Sequence, residues 1–214
     1  MDSLHKSRVQ KSFIFGVLAL SVIMIGGVLL FSRSWATHKE SELSRLDKVL
    51  AEVVQDREQR ILIPLSPAQE QELESLRKSR FSHVRLGATM VLAESASRQQ
   101  LWEDAIQLFQ EVARHKKSYL APKAQLNVAY TLIQQERLDE ALLALDEMKN
   151  YTHSMINPDI YSEAEFVKAY LWEISGNVEE ALALYNNLIL TLDDENIWYQ
   201  QAQARVLYHE KAII

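Results

Sequence analysis

The sequence predicts an all-α chain in which a single N-terminal transmembrane helix precedes an α-solenoid of about three helical hairpins and a C-terminal capping helix. The first observation is one long apolar run near the N-terminus, over residues 13–31. The second is a sequence motif that occurs three times, and its central alanines, Ala105, Ala141 and Ala181, are spaced 36 and 40 residues apart. Repeats of roughly 20–50 residues are typical of stacked solenoids. The third is the scarcity of turn formers, with 5 glycines and 4 prolines in 214 residues, which favours long helices over many short strands.

The N-terminal region is predicted to anchor the chain in a membrane. Residues 1–12 form a basic tail with three Lys or Arg side chains. The run FIFGVLALSVIMIGGVLLF follows, with one polar side chain. As a helix it spans roughly 28 Å, close to the hydrocarbon thickness of a bilayer. We therefore assign residues 13–32 to a transmembrane helix.

Two other interpretations of this run stay open. A cleaved signal peptide has a shorter apolar stretch, of about 7–15 residues, before a small-x-small site, and Ser34-Trp35-Ala36 could supply such a site. A buried core helix is disfavoured because the run is apolar on every face. The basic tail favours a cytoplasmic N-terminus by the positive-inside rule. The expected location is then the bacterial inner membrane, as a single-pass protein with its C-terminal domain in the periplasm.

Residues 33–65 are predicted to form an amphipathic helical linker. Apolar side chains recur there at helical spacing: Leu43, Leu46, Val49, Leu50, Val53 and Val54. Pro64 then interrupts the pattern, because proline breaks a helix interior.

A second helix is predicted over residues 67–79, at the start of a repeat domain that spans residues 66–214. Ser66 is a favourable N-cap, Pro67 suits the first helical position, and Gln69 stands where a capping box needs an amide.

The repeated sequence motif predicts helical hairpins. The three copies are LWEDAIQLFQEVA, RLDEALLALDEM and NVEEALALYNNL, from residues 101, 137 and 177. Each places acidic residues in the first helical turn, where the helix dipole favours them, and an apolar residue four positions after the alanine. Another alanine occurs twelve residues before the central alanine of each motif, at Ala93, Ala129 and Ala169. Small residues at both places allow two antiparallel helices to approach closely, and Gly176 suits the tight turn between them.

These features resemble the tetratricopeptide repeat over about residues 86–192. The chain departs from the family pattern, since only the third unit keeps the turn glycine, Gly176, and no unit begins with the usual Trp. An unrelated helical bundle is the alternative. The final segment, IWYQQAQARVLYHEKAII, is predicted to cap the stack, because solenoids need a terminal cap. Trp198 or Tyr199, together with Leu207, is expected to cover the open end.

The resemblance implies a binding groove on the wall formed by the first helix of each hairpin. Transferring the family's groove-facing positions gives seven apolar or aromatic residues, which mark an interaction surface: Met90, Leu126, Tyr130, Ile133, Phe166, Tyr170 and Ile174. The same transfer assigns polar residues to this wall, among them Glu94, Arg98, Lys123, Glu163 and Glu173. In the alternative, the helix at 67–79 folds into the groove and makes it core.

The family's carboxylate clamp is not expected in this groove. Lys123 and Asn127 are present, but Met90, Glu94 and Val167 stand where the other clamp residues belong.

No enzyme, cofactor or metal site is predicted. The chain has no cysteine, and no two of its six histidines are three or four residues apart, so neither a thiolate site nor a helical His pair is available. Glycine-rich phosphate loops and GxSxG elbows are absent from the sequence. A net charge of −6 disfavours nucleic acid as a partner, and no small-molecule substrate is expected.

The whole arrangement resembles the YfgM family of bacterial inner-membrane proteins: a basic N-terminus, one membrane span, an amphipathic linker, degenerate repeats and a capping helix. The resemblance implies a non-catalytic, chaperone-like module that assists secreted polypeptides at the periplasmic exit of the Sec translocon. Its implied partners are the translocon, periplasmic chaperones or emerging polypeptides. The alternative function is a scaffold that joins cell-envelope proteins in a division or secretion complex.

Overall fold

The computed structural model describes residues 32–53, 64–151 and 158–212. The predicted basic tail and nearly all of the predicted transmembrane helix, residues 13–32, lie outside this part of the chain. Within the described ranges, no helix has both the length and the apolar character needed to cross a membrane.

The described part of the linker is one helix, α1, over residues 32–53. Leu46, Val49 and Val53 of the predicted apolar stripe are buried, as the helical spacing indicated. The chain divides into two compact units between Lys48 and Val49, and all the helices after α1 belong to the second unit.

Helix α2 spans Pro67–Arg77 and begins as predicted. The Ser66 N–H donates to Gln69 Oε1 over 2.8 Å, and the Gln69 N–H donates to Ser66 Oγ over 3.3 Å. This reciprocal capping box satisfies two backbone donors that have no partner inside the helix. The helix ends two residues before the predicted position.

Three helical hairpins and a final helix follow, and the described residues are all-α with no strand. The helix bounds are α3 Ser82–Arg98, α4 Trp102–Ala113, α5 Ala121–Gln134, α6 Leu138–Asp146, α7 Pro158–Ile174, α8 Val178–Thr191 and α9 Ile197–Ala212. A short 3₁₀ helix over Glu147–Asn150 extends α6. Each helix from α2 to α9 packs against the next one along the chain, which is the arrangement expected of a solenoid.

The predicted close approach within each hairpin is confirmed. The six alanines at the two repeat positions are all 0% exposed: Ala93, Ala105, Ala129, Ala141, Ala169 and Ala181. The apolar residues four positions later, Phe109, Leu145 and Tyr185, are buried as well. Small side chains at the crossing let the helices meet, and the larger ones fill the space beside it.

The three hairpin turns share one backbone conformation. Gln100, Glu136 and Gly176 stand at the same repeat position with φ of 60°, 61° and 86°. In each turn the next residue's N–H donates to the carbonyl five residues earlier, over 2.9, 3.0 and 2.9 Å. This pattern is a Schellman motif, whose left-handed residue is usually glycine. In two of the three turns this left-handed position is occupied by a residue other than glycine, Gln100 or Glu136.

Helix α9 caps the stack as predicted. It packs against α8 and α7, with Ala202 fully buried and the Trp198 ring 5.4 Å from the Phe166 ring. The expectation that Leu207 covers the open end is wrong, since this side chain is on the exposed face of α9. The cap is made by the face that carries Trp198 and Ala202.

Candidate protein-binding surface

The first-helix wall is defined here as the surface of α3, α5 and α7 that carries the transferred groove positions. Met90 and Leu126 do not contribute to it, because they are 7% and 0% exposed in the main hydrophobic core. Both occupy the same repeat position as Phe166. In this short stack that position faces the adjacent helices, so these side chains stabilise the fold instead of contacting a partner.

Phe166 is half-buried and belongs to an aromatic cluster. Its ring centroid lies 5.4 Å from those of Tyr185 and Trp198, distances at which tilted aromatic pairs attract. The cluster joins α7, α8 and α9, so Phe166 is engaged by the capping helix.

Tyr130 and Ile133 of α5 are half-buried against the main core. The Tyr130 hydroxyl donates a hydrogen bond of 2.7 Å to Glu163 Oε1. This bond links the first helices of the second and third hairpins. Burial, followed by the hydrogen bond to the Glu163 carboxylate, raises the pKa of the Tyr130 hydroxyl.

Tyr170 and Ile174 are the predicted groove residues that are most exposed, at 42% and 49%. They lie one turn apart on α7, next to α9. The Arg205 guanidinium lies 5.8 Å from the Tyr170 ring and 5.4 Å from the Tyr208 ring, within cation–π range. We call Tyr170, Ile174 and Tyr208 the aromatic patch.

Tyr208 was missed by the sequence reasoning. It belongs to the capping helix, which lies outside the three repeats to which the family positions apply. The only available signal was its place on an amphipathic segment next to the third repeat.

The other end of the wall is polar. A pocket of about 320 Å³ between α3 and α5 is lined by Glu94, Arg98, Lys123 and Asn127, among others. Arg98 forms an ion pair of 3.3 Å with Glu94. The wall is therefore not one continuous apolar groove, but a charged pocket at one end and the aromatic patch at the other.

Helix α2 does not fill the wall. It packs against α3, and Arg77 Nη2 forms an ion pair of 2.6 Å with Glu111 Oε2 of α4. The helix thus lies beside the second helix of the first hairpin, on the side of α3 that faces away from Glu94 and Arg98. The alternative in which this segment turns the groove into core is not supported.

Glu173, one of the polar residues transferred to the wall, is instead the buried centre of a polar cluster. Its carboxylate is 7% exposed. It accepts a hydrogen bond of 2.9 Å from the Tyr185 hydroxyl. Arg205 donates two hydrogen bonds to it, one of 2.9 Å from Nε and one from Nη2. His209 Nε2 lies 2.8 Å from the same carboxylate. Burial opposes ionisation, but the hydrogen bonds from Arg205, His209 and Tyr185 outweigh it and lower the pKa of Glu173.

No group of three or more His, Asp or Glu side chains suited to a metal ion occurs in the part of the chain that the structure describes. The polar clusters of the described residues are ion pairs and hydrogen bonds within helices, as between Arg98 and Glu94, and between helices, as between Arg205 and Glu173. The non-catalytic role stays a prediction.

A model of the tetratricopeptide repeat family matches residues 90–153. Over these residues the chain is similar to tetratricopeptide repeats. The matched region runs from α3 through the 3₁₀ helix after α6 and so covers most of the first two hairpins. Comparison with curated proteins and with solved structures gives no significant match. Tetratricopeptide repeats generally mediate binding between proteins, which supports a protein-interaction module.

Proposed function

We infer that this chain is a membrane-anchored, non-catalytic module of the YfgM type that assists secreted polypeptides at the periplasmic exit of the Sec translocon. The observation that carries this proposal is the aromatic patch, Tyr170, Ile174 and Tyr208. It is exposed, and it lies where the first-helix wall adjoins the capping helix α9. The remaining predicted apolar positions of that wall are buried or half-buried.

The chemistry of the patch suits emerging polypeptides. A translocating segment is extended and exposes apolar side chains, whose burial away from water is favourable. Tyr side chains bury a large area with little loss of conformational freedom, and the Arg205 guanidinium between the two Tyr rings holds them in place. Burying about 100 Å² of apolar surface gives roughly 2–3 kcal/mol. A patch of three side chains therefore favours brief, permissive contacts.

The membrane anchor, the periplasmic location and the translocon partner rest on the sequence. The apolar run over residues 13–32 is the proposed anchor, and the basic tail before it favours a cytoplasmic N-terminus. In this orientation the repeat domain projects into the periplasm, close to where polypeptides leave the translocon.

A scaffold between cell-envelope proteins is the second candidate function. The charged pocket with Glu94, Arg98 and Lys123 is the observation that favours it. Fixed charges of both signs select a partner with the complementary pattern and exclude others. A dedicated scaffold would use this pocket, and a general helper would use the aromatic patch.

Photocrosslinking in living cells separates the two functions. A photoreactive amino acid is placed at Ile174 in the aromatic patch, at Lys123 in the charged pocket, or at Asn186. Asn186 is exposed on α8 and serves as the matched control. The secretion-helper proposal expects translocon subunits and a broad ladder of polypeptides at Ile174, with little product at Asn186.

One discrete envelope protein captured at both Ile174 and Lys123 would replace this proposal with the scaffold. Products at Ile174 that match those at Asn186 in size and yield would show that the aromatic patch is not a binding surface.

A further inference from the structure

A second groove lies on the opposite side of the repeat stack from the first-helix wall. It runs between α2 and α4, with the outward face of α3 as its floor, and has a volume of about 780 Å³. We call it the α2–α4 groove. The floor includes Leu92 and Ala96, and Leu101 and Leu108 stand at the side formed by the first hairpin's turn and α4.

The next hairpin has an equivalent groove that is much smaller. The space between α4 and α6, with α5 as its floor, measures about 410 Å³. Leu132 stands on that floor at the repeat position of Ala96, 36 residues later. Ala96 has no branched side chain, so the floor of the first groove lacks the bulk that Leu132 adds to the floor of the next one.

The edges of the α2–α4 groove are mainly acidic. Glu70, Glu74, Asp104 and Glu111 supply four carboxylates, and Arg77 and Arg114 supply two cations. Arg77 is bound to Glu111 at 2.6 Å and to Glu74 at 3.4 Å, so its charge is already balanced. Glu70 and Asp104, on opposite edges, form no ion pair with any residue that the structure describes.

We propose that the α2–α4 groove is a second protein-binding surface, whose occupant is a basic amphipathic helix of a protein partner. An apolar side chain of that helix occupies the space above Ala96, and its Lys or Arg side chains pair with Glu70 on one edge and Asp104 on the other. This proposal goes beyond the role of the aromatic patch, because it concerns a different face and a different class of ligand.

The dimensions of the groove suit a helix. Helices α2 and α4 have 11 and 12 residues, which gives walls roughly 16–18 Å long at 1.5 Å rise per residue. About three turns of a docked helix fill that length and present apolar residues at i, i+3 and i+4, as in other helix-in-groove complexes. A small organic ligand fits poorly, because small-molecule sites enclose their ligand in mainly apolar walls, and Glu70, Glu74 and Asp104 here are exposed charges.

A designed peptide tests the proposal on the full-length chain embedded in zwitterionic nanodiscs. The probe is a stapled helix of about three turns, with leucines on one face, lysines on both flanks and a photoreactive leucine at its centre. A second peptide carries glutamates in place of the lysines. Empty nanodiscs measure binding of either peptide to lipid alone.

Two variants change the groove and one serves as the control. Ala96→Leu fills the floor with the residue that the next hairpin already carries there. Glu70→Gln with Asp104→Asn removes the two edge charges that have no ion-pair partner among the described residues. Glu179→Gln with Glu180→Gln removes two exposed carboxylates from the first turn of α8, away from the groove, and matches the change in net charge.

The expected result is that the lysine peptide binds and the glutamate peptide does not. Ala96→Leu weakens binding at least about tenfold, since one excluded side chain removes apolar contact of that order. The edge variant weakens binding roughly three- to tenfold and reduces its salt dependence, and the α8 control stays within about twofold. Crosslinks from the central leucine fall on Leu92, Leu101 or Leu108.

Several outcomes would overturn the proposal. Equal binding of both peptides, crosslinks on the aromatic patch, or an edge variant that binds like the α8 control would each do so. Crosslinking between two copies of this chain through the groove would assign it to self-association instead. If Ala96→Leu fails to fold, the edge variant and the crosslink positions still decide the question.

Discussion

Glu173 of α7 and Arg205 of α9 form a two-point ion pair that joins the last repeat to the capping helix. The carboxylate is almost fully buried, whereas about a third of the Arg205 side chain is exposed. The same guanidinium lies between the rings of Tyr170 and Tyr208. One ion pair therefore stabilises the end of the stack and also fixes the aromatic patch.

Replacing Glu173 is expected to destabilise the repeat domain. Glu173→Gln keeps the shape but removes the charge that Arg205, Tyr185 and His209 contact, and hydrogen bonds to a charged group contribute about 1.5–3 kcal/mol each. We expect a loss of roughly 2 kcal/mol in the free energy of unfolding, measured by chemical denaturation of the full-length chain in detergent. Glu179→Gln, on the exposed start of α8, is the control and should change little. Equal stability of the two variants would contradict a structural role for the pair.

The same carboxylate predicts a pH dependence of stability. The pKa of Glu173 in the fold lies below its ordinary value of 4.5, so the unfolded chain binds the proton more readily. The ionised carboxylate thus stabilises the fold above about pH 4.5, and this contribution disappears as the pH falls through the lower pKa of the folded state. Unfolding measured from pH 7 to pH 3 should show the gap between the native chain and Glu173→Gln narrowing below about pH 4.5. A gap that is constant over this range would argue against an ionised Glu173.

The hairpin turns predict a stabilising substitution. Glu136 is held at φ 61°, a left-handed conformation that costs a residue with a side chain about 1–2 kcal/mol more than a right-handed one. Glu136→Gly should raise the free energy of unfolding by about 0.5–1 kcal/mol, after the entropy lost by glycine is included. The reverse change, Gly176→Ala, should destabilise by about 1 kcal/mol, although the space around Gly176 is open. Destabilisation by Glu136→Gly would show that its side chain stabilises the turn more than the backbone strain opposes it.

The buried alanines predict that an alanine-to-leucine change destabilises the fold at a helix crossing but not on an exposed helix face. Ala129 is 0% exposed where α5 crosses its neighbours, so Ala129→Leu overpacks the core and should cost about 1–3 kcal/mol. Ala183 is exposed on α8, and Ala183→Leu should be nearly neutral because leucine is also a good helix former. Thermal unfolding of the two variants makes the comparison. Similar melting temperatures would contradict the close helix crossing inferred at the repeated alanines.

The hairpin core could be predicted from the sequence because it depends on local, repeated chemistry. Ala93 and Ala105, twelve residues apart, lie where the two helices of the first hairpin cross, and the same pair of alanines recurs in the other two hairpins. The capping box at Ser66 and Gln69 is likewise complete within four residues. The same reasoning could not show that Gln100 and Glu136 adopt the conformation of Gly176, since propensity alone favours glycine there.

The wall could be predicted only in part because exposure depends on neighbouring helices. Leu126 and Tyr170 occupy transferred groove positions, yet one is core and the other is exposed. Glu173 was assigned to the groove wall, and no sequence pattern indicated that its carboxylate would pair with Arg205, 32 residues later. The α2–α4 groove depends on one residue, Ala96, whose small size becomes informative only when α2 is seen beside α4.

The central claim is that the aromatic patch receives newly made secreted polypeptides. The most direct measurement is photocrosslinking from Ile174 in cells pulse-labelled during protein synthesis, with Asn186 as the control position and a parallel sample in which synthesis has been stopped. We predict a ladder of labelled products at Ile174 that disappears when synthesis stops and does not form at Asn186. A ladder that persists without synthesis, or that is equally strong at Asn186, would contradict the claim.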